Sequence, residues 1–292
     1  MAKILTVFTV RPEIDNVVDD VPANLDVQRK LSLFERLLAN AAVRRVLLLA
    51  CLAVIWELYA LHVDNPLLFP RFSETLVALW NAVVHGPLLD RMASSLRILL
   101  VGYGIGIALA GVLVTFAVST AIGQDLLTSL TAMFNPLPAI ALLPLAMLWF
   151  GLGQGSLVFV IVHSVLWAVA LNALSGFTSV NETLRMSGQN YGLRGVRYVT
   201  LILIPAALPS ILSGLKIGWA FAWRTLIAAE LVFGATSRSG GLGWFIYENR
   251  NQLETPSVFA GLFVVIIIGL LVESVIFRFI ESRTVRRWGM QR

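Results

Sequence analysis

The residues best suited to chemistry in this sequence are charges set in apolar surroundings. Lys216, Arg224 and Glu230 all fall in one apolar run, residues 205–232. A charge at the centre of a membrane-crossing helix costs about 2.5–3.5 kcal/mol, so each asks for a reason. Lys216 and Arg224 are eight positions apart, about 80° around a helix, while Glu230, six beyond Arg224, faces differently. Arg224 could attract an anionic solute; it could equally form an ion pair with Glu57 or Glu273, or extend its head towards a span end. Asn135 stands beside Pro136, with Pro138 and Pro144 following, in a run from Leu126 to Asn181 that holds no Asp, Glu, Lys or Arg. Proline removes a backbone donor and kinks a helix, and the freed carbonyls must find a neighbour or water. That makes Asn135 a candidate for lining a pathway, although a bend needed only for packing fits as well. Asn135, Arg224 and Glu230 are the candidate pathway residues.

Other chemistries lack their residues. There is no G-x-x-x-x-G-K-[ST] to cradle nucleotide phosphates, no H-E-x-x-H and no G-x-S-x-G. His62, His85 and His163 are far apart, and Cys51 is the single cysteine, which points away from a metal site and from an intramolecular disulfide. Neither an enzyme active site nor a cofactor of the chain's own is indicated.

The elements that must position these residues are organised around one polar interruption, Met186 to Leu215. Gly188, Gly192 and Gly195 punctuate its first half, Arg194 and Arg197 charge it, and Ile204-Pro205 and Leu208-Pro209 mark the start of the next apolar segment. A connection between two spans needs only a few residues, so about 20 with their own pattern predict a short helix-turn-helix that docks on something.

This stretch resembles the cytoplasmic loop of the membrane (permease) subunit of ABC importers. That family's pattern is E-A-A, three residues, Gly, nine residues, then Ile-x-Leu-Pro. Gly192 takes the glycine and Ile202-Leu203-Ile204-Pro205 the tail, while the E-A-A positions fall on Met186, Ser187 and Gly188, so the glutamate is absent and both alanines are changed. Trp149-Phe150-Gly151-Leu152-Gly153, Pro205-Ala206-Ala207-Leu208-Pro209, Gly214-Leu215, Ala229-Glu230-Leu231 and Gly241-Leu242-Gly243 are similar to motifs of the nitrate, sulfonate and taurine branch, from about residue 64 onward. The resemblance implies a coupling helix that fits a cleft on a separate ATP-hydrolysing subunit, carried here by Gly188, Asn190, Tyr191, Gly192, Leu193 and Arg194. Tyr191 and Leu193 would enter the cleft as anchors, and Arg185, Arg194 or Arg197 would meet acidic rim residues or serve only as charges that fix membrane orientation.

Composition agrees with a membrane setting. Of 292 residues 58% are hydrophobic and 13% charged, about half the charge of an average globular protein. The net charge of +5 could suit nucleic acid, but the basic residues flank apolar runs, which membrane topology explains better. Spans are expected at 46–63, 98–124, 126–150, 156–178, 205–232 and 256–280, with a surface helix at 73–84 and a polar, glycine-rich loop at 234–255. Gly102, Gly104, Gly106 and Gly111 would admit a close helix neighbour, or simply reflect how common glycine is in membrane helices. Residues 11–26 read as a solvated acidic tail and 31–45 as an interfacial helix.

Charge sets the orientation. Seven Lys or Arg precede residue 46, three lie in the central loop and five at the C-terminal end, against four in the opposite loops. The positive-inside rule then predicts cytoplasmic N- and C-termini and a cytoplasmic Gly192 loop.

The expected protein is an all-α integral membrane protein with six transmembrane helices and the type I ABC importer permease fold. Its expected parts are a cytoplasmic tail and interfacial helix (1–45), a permease domain (46–280) and a C-terminal tail (281–292), in a bacterial inner membrane. The resemblance implies two ATPase subunits that bind ATP-Mg, a second permease copy and an extracytoplasmic binding protein, with nitrate, taurine or another organic sulfonate as solute and no nucleic acid. The alternative is a self-sufficient secondary transporter or channel, which predicts more intramembrane acidic or histidine residues and an internal repeat.

Overall fold

The computed structural model describes residues 40–233 and 240–284. The expectations for the acidic tail, for 31–39 and for 285–292 lie outside these residues. Contacts divide the chain into a first unit ending at Val54 and a second beginning at Ile55. The described part of the first unit is the opening of helix α1 (Ala41–Val63). Leu47, Leu48, Leu49, Leu52 and Val54 are exposed there, as on a helix that faces lipid.

In the second unit, Asn65 to Pro70 turn the chain into α2 (Phe72–Val84), close to the predicted surface helix. Glu57, the one charge in the first apolar run, caps that helix: its carboxylate accepts from Ser73 N–H (3.1 Å) and Ser73 Oγ (2.8 Å). Trp56 donates to Pro70 O at 2.9 Å and meets the rings of Phe69, Phe72, Phe259 and Phe263.

Helix α3 (Leu88–Ser119) begins ten residues before the predicted second span and ends five before its predicted end. The stop is Thr120, extended at φ −142°, whose Oγ1 accepts from Gly123 N–H at 2.9 Å and caps α4 (Ala121–Phe134). The third run is therefore not one kinked helix over 126–150. It is α4 followed, after Asn135 to Pro138, by a 3₁₀ turn (Ala139–Leu142) and α5 (Leu143–Phe150), with an 87° bend. Pro136 and Pro138 lie in the break, where missing donors end the helix outright. Gly151, at φ +73°, closes α5, and Ser156 Oγ donates back to Ala146 O and Gly151 O.

Helix α6 (Gln154–Thr178) is the core of the bundle. In its most apolar stretch 56% of the residues are buried, against 33% for α3. It lies between α3 and α9 (Ile204–Phe233), and small residues let them approach. A Cβ on Gly102 would fall 2.7 Å from Ile161, and one on Gly106 2.8 Å from Val165; Gly104 and Gly111 face open space. Two of the four glycines thus serve contact within the chain.

Between α6 and α9 come α7 (Glu182–Asn190), the single turn α8 (Gly195–Tyr198) and a π-helical turn (Val199–Leu203). Beyond α9, the expected glycine-rich loop contains a helix, α10 (Leu242–Asn251), whose Leu242, Phe245 and Ile246 are buried. Helix α11 (Thr255–Leu271) runs through a π turn (Val272–Phe277) into α12 (Arg278–Arg283). Among the described residues five helices are long and apolar enough to cross a membrane, six with the bent α4–α5 pair counted as one, and there is no strand.

Candidate solute cleft and docking loop

The broken span brings two of the three predicted pathway residues together. Asn135, at the end of α4, and Arg224, on α9, line one cavity of about 370 Å³. Phe134, His163, Trp167, Phe221 and Thr225 share it. Trp167 stacks on Phe134 at 5.2 Å between ring centres, and His163 stands edge-on to Phe134 at 6.3 Å. Both ring nitrogens of His163 and the indole N–H of Trp167 are buried with no hydrogen-bond partner among the described residues.

Arg224 Nε donates to Ala220 O at 3.0 Å, and the guanidinium lies 5.2 Å from the centre of the Phe221 ring. Neither ion pair considered for it forms. Glu57 is committed to Ser73, and among the described residues no carboxylate lies within 4.0 Å of Arg224. Glu273 instead borders a second cavity, about 520 Å³, which Arg224 and Lys216 also line. Lys216 is taken by Glu281, whose Oε2 is 2.7 Å from its Nζ.

Glu230 does not join the cleft. It is 4% exposed and accepts from Ser95 Oγ and from Gly243 N–H at 2.8 Å, while Leu242 N–H donates to Ser95 Oγ at 2.8 Å. A carboxylate that deep needs several donors, and α3 and the start of α10 supply them. The Gly241-Leu242-Gly243 motif follows, because a Cβ on Gly241 would sit 2.1 Å from both Glu230 Oε1 and Ser95 Oγ. The structure thus places Glu230 in a tie between α3, α9 and α10.

The central loop has a defined shape. Asn181 caps α7, its Oδ1 accepting from Thr183 N–H at 2.8 Å. The helix ends at Tyr191 in a Schellman motif: Gly192, at φ +75°, donates to Gln189 O at 2.9 Å, and Leu193 donates to Gly188 O at 3.1 Å. A left-handed residue is required there, which is why glycine stands at 192. Gly188 is buried, and a Cβ on it would lie 3.0 Å from Ile202 and 3.1 Å from Tyr198. Tyr191, by contrast, is 85% exposed. Asn190 and Arg194 are exposed too, and Leu193 is half-buried. Arg185 is used within the chain, donating to Phe177 O (2.6 Å) in the last turn of α6 and to Val180 O (3.3 Å) just beyond it.

Sequence comparison assigns this architecture. Residues 86–286 match the family described as the binding-protein-dependent transport system inner membrane component. The chain belongs to this family. Three relatives of the permease extend the match. The taurine transport system permease protein of Escherichia coli is 33% identical, over 76% of this chain and 81% of its own length. A putative aliphatic sulfonates transport permease protein of the same organism is 28% identical, over 70% and 77%. The nitrate import permease protein of Synechocystis is 27% identical, over 90% and 96%. The permease is therefore a multi-pass membrane subunit of an ABC importer rather than a catalytic enzyme or a self-sufficient carrier, and its family works with ATPase and solute-binding partners.

His163, Trp167, Phe134, Phe221 and Thr225 were not legible as site residues. His163 and Trp167 stand four apart on an apolar helix, a spacing that reads as core packing. Only the bend of α4–α5 opens space beside them.

Proposed function

We propose that this permease forms the pathway of an ATP-driven importer for a small anion such as nitrate, taurine or another organic sulfonate. The observation that carries the reading is the Schellman turn at Tyr191-Gly192-Leu193. A hydrogen-bonded turn between α6 and α9 holds out an aromatic side chain that is 85% exposed among the described residues. Such a side chain is suited to a cleft on a partner. Tyr191 and Leu193 enter an ATPase subunit as anchors, with Gly188, Asn190, Gly192 and Arg194 completing the contact. Two ATPase subunits, each holding ATP-Mg, act on two copies of the permease, and an extracytoplasmic binding protein delivers the solute. The permease itself binds no cofactor.

Charge distribution supports cytoplasmic N- and C-termini and a cytoplasmic docking loop, in a bacterial inner membrane. ATP binding closes the ATPase pair, the two loops approach, and the pathway turns outward; hydrolysis resets it. The bias is the difference in ATP affinity between the two arrangements. Asn135 and Arg224 face the solute, while Glu230 holds the bundle together.

The test is Gly192→Asp beside Tyr191→Ala. Both variants are expected to insert in the membrane at normal levels while losing ATP-driven uptake and co-purification of the ATPase. Normal uptake in both overturns the docking assignment.

A further inference from the structure

The cleft between the α4–α5 break and α9 is chemically more selective than an anion funnel requires. One end carries the Arg224 guanidinium, which no carboxylate within the described chain neutralises. His163 and Trp167 form part of its walls, their ring nitrogens buried behind the surface without a hydrogen-bond partner among the described residues, and Asn135, Ser164 and Thr225 add polar groups. The rest of the lining is apolar and is dominated by the Phe134–Trp167 stack, Phe221 and the Pro136-Leu137-Pro138 turn. No Asp or Glu is among its lining residues.

We propose that this cleft is an intramembrane binding site for a small organic anion, a sulfonate or carboxylate whose body is apolar and uncharged. The inference rests on the importer reading and narrows its solute. The volume, about 370 Å³, lies in the range of small-molecule pockets, which are mostly apolar with a few placed polar groups. A bare inorganic oxyanion such as nitrate would meet the guanidinium but leave the aromatic wall uncovered, losing the burial that drives binding there. A zwitterion would bring an ammonium into a cleft that offers no carboxylate to it, so its desolvation is uncompensated. An anion with an apolar tail satisfies both ends. Its oxygens accept from Arg224 and Asn135, and its tail lies against Phe134 and Phe221.

The experiment uses the purified full-length chain in lipid nanodiscs, without ATP or ATPase, and titrates butanesulfonate, taurine and sodium nitrate while reading tryptophan fluorescence and heat. Saturable binding of butanesulfonate is expected, tighter than that of taurine or nitrate. Arg224→Gln should weaken it by roughly 10-fold or more, the usual worth of a charge-assisted hydrogen bond. Ala228→Leu, which fills the cleft without altering a charge, should abolish it in a protein that keeps its monodispersity. Asn135→Ala should weaken it less than Arg224→Gln. Nitrate or taurine binding as tightly as butanesulfonate, or butanesulfonate affinity unchanged in Arg224→Gln and Ala228→Leu, overturns the proposal. The importer reading fails separately: it falls if ATP-driven uptake survives loss of the docking turn, whatever the isolated chain binds.

Discussion

Ser95 and Glu230, 135 positions apart in the chain, meet in the buried part of the bundle, with Ser95 Oγ 2.8 and 2.9 Å from the two carboxylate oxygens. The Leu242 and Gly243 amides complete the set, so four groups from three helices satisfy one another. Glu230→Ala leaves a hydroxyl and an amide without their acceptor and should cost about 1–3 kcal/mol of stability. Glu230→Gln keeps an oxygen for the Gly243 amide and an NH₂ that Ser95 can accept, so its loss should be smaller. Thermal unfolding of both variants in detergent checks the order; equal stability of Glu230→Ala and the parent would show that the network contributes nothing.

The same network constrains Gly241. An alanine there would put Cβ within 2.1 Å of two oxygens that are already hydrogen-bonded. Gly241→Ala should destabilise the protein at least as much as Glu230→Ala, since one partner must leave the cluster. Adding Ser95→Gly should recover part of that loss by vacating one of the two clashing atoms. Melting temperatures of the single and double variants decide it.

Glycines on α3 divide into two kinds. Gly106→Val collides with Val165 and should destabilise the α3–α6 contact by about 1–3 kcal/mol, the usual cost of overpacking. Gly111→Val meets nothing within 4 Å inside the chain and should leave the isolated protein's melting temperature near that of the parent. A large loss in the second variant would mean that something beyond this chain packs against that face.

Arginines near the loop should separate by role. Arg185→Ala removes donors from Phe177 O and Val180 O and should lower thermal stability by about 1–3 kcal/mol. Arg194→Ala, on an exposed residue, should leave stability unchanged, and any effect should be confined to ATPase co-purification. Paired melting and pull-down measurements distinguish them.

Lys216 and Glu281 form a close ion pair whose side chains remain 35% and 22% exposed. Partly solvated pairs contribute little, so Lys216→Met should change stability by less than about 1 kcal/mol. A larger loss, restored by the swap Lys216→Glu with Glu281→Lys, would show that the pair is insulated from solvent.

Much of this protein was legible in its sequence because apolar runs and their interruptions are one-dimensional signals. The start of α2, the long α9 and the central loop between α6 and α9 all fall near where hydropathy, proline and glycine put them. Thr120 was not legible, since a capping threonine inside an uncharged apolar run looks like any other polar residue in a membrane helix. The α4–α5 bend was half visible: the prolines announced a kink, but an 87° turn depends on what packs in the angle. Helix α10 was hidden by its glycines, although Leu242, Phe245 and Ile246 have helical spacing. Glu230 was singled out for its charge, yet its partners Ser95 and Gly243 come from distant helices, and no pattern in the chain announces that meeting. The aromatic wall of the cleft was invisible for the same reason.

Arg185 has a mechanical consequence. By holding the end of α6 at Phe177 and Val180 while Gly188 of the same short helix nests against Tyr198 and Ile202 ahead of α9, the loop is clamped to two shafts at once. Those shafts carry opposite walls of the cleft, His163 and Trp167 on one and Arg224 on the other. Fifteen residues of helix separate the end of α6 from His163, a lever arm of about 22 Å at 1.5 Å per residue. Any torque on the loop that rocks α6 by about 10° would therefore carry His163 sideways by about 4 Å. That is comparable to the width of a small anion, so the lever is long enough to change the width of the cleft between the two shafts.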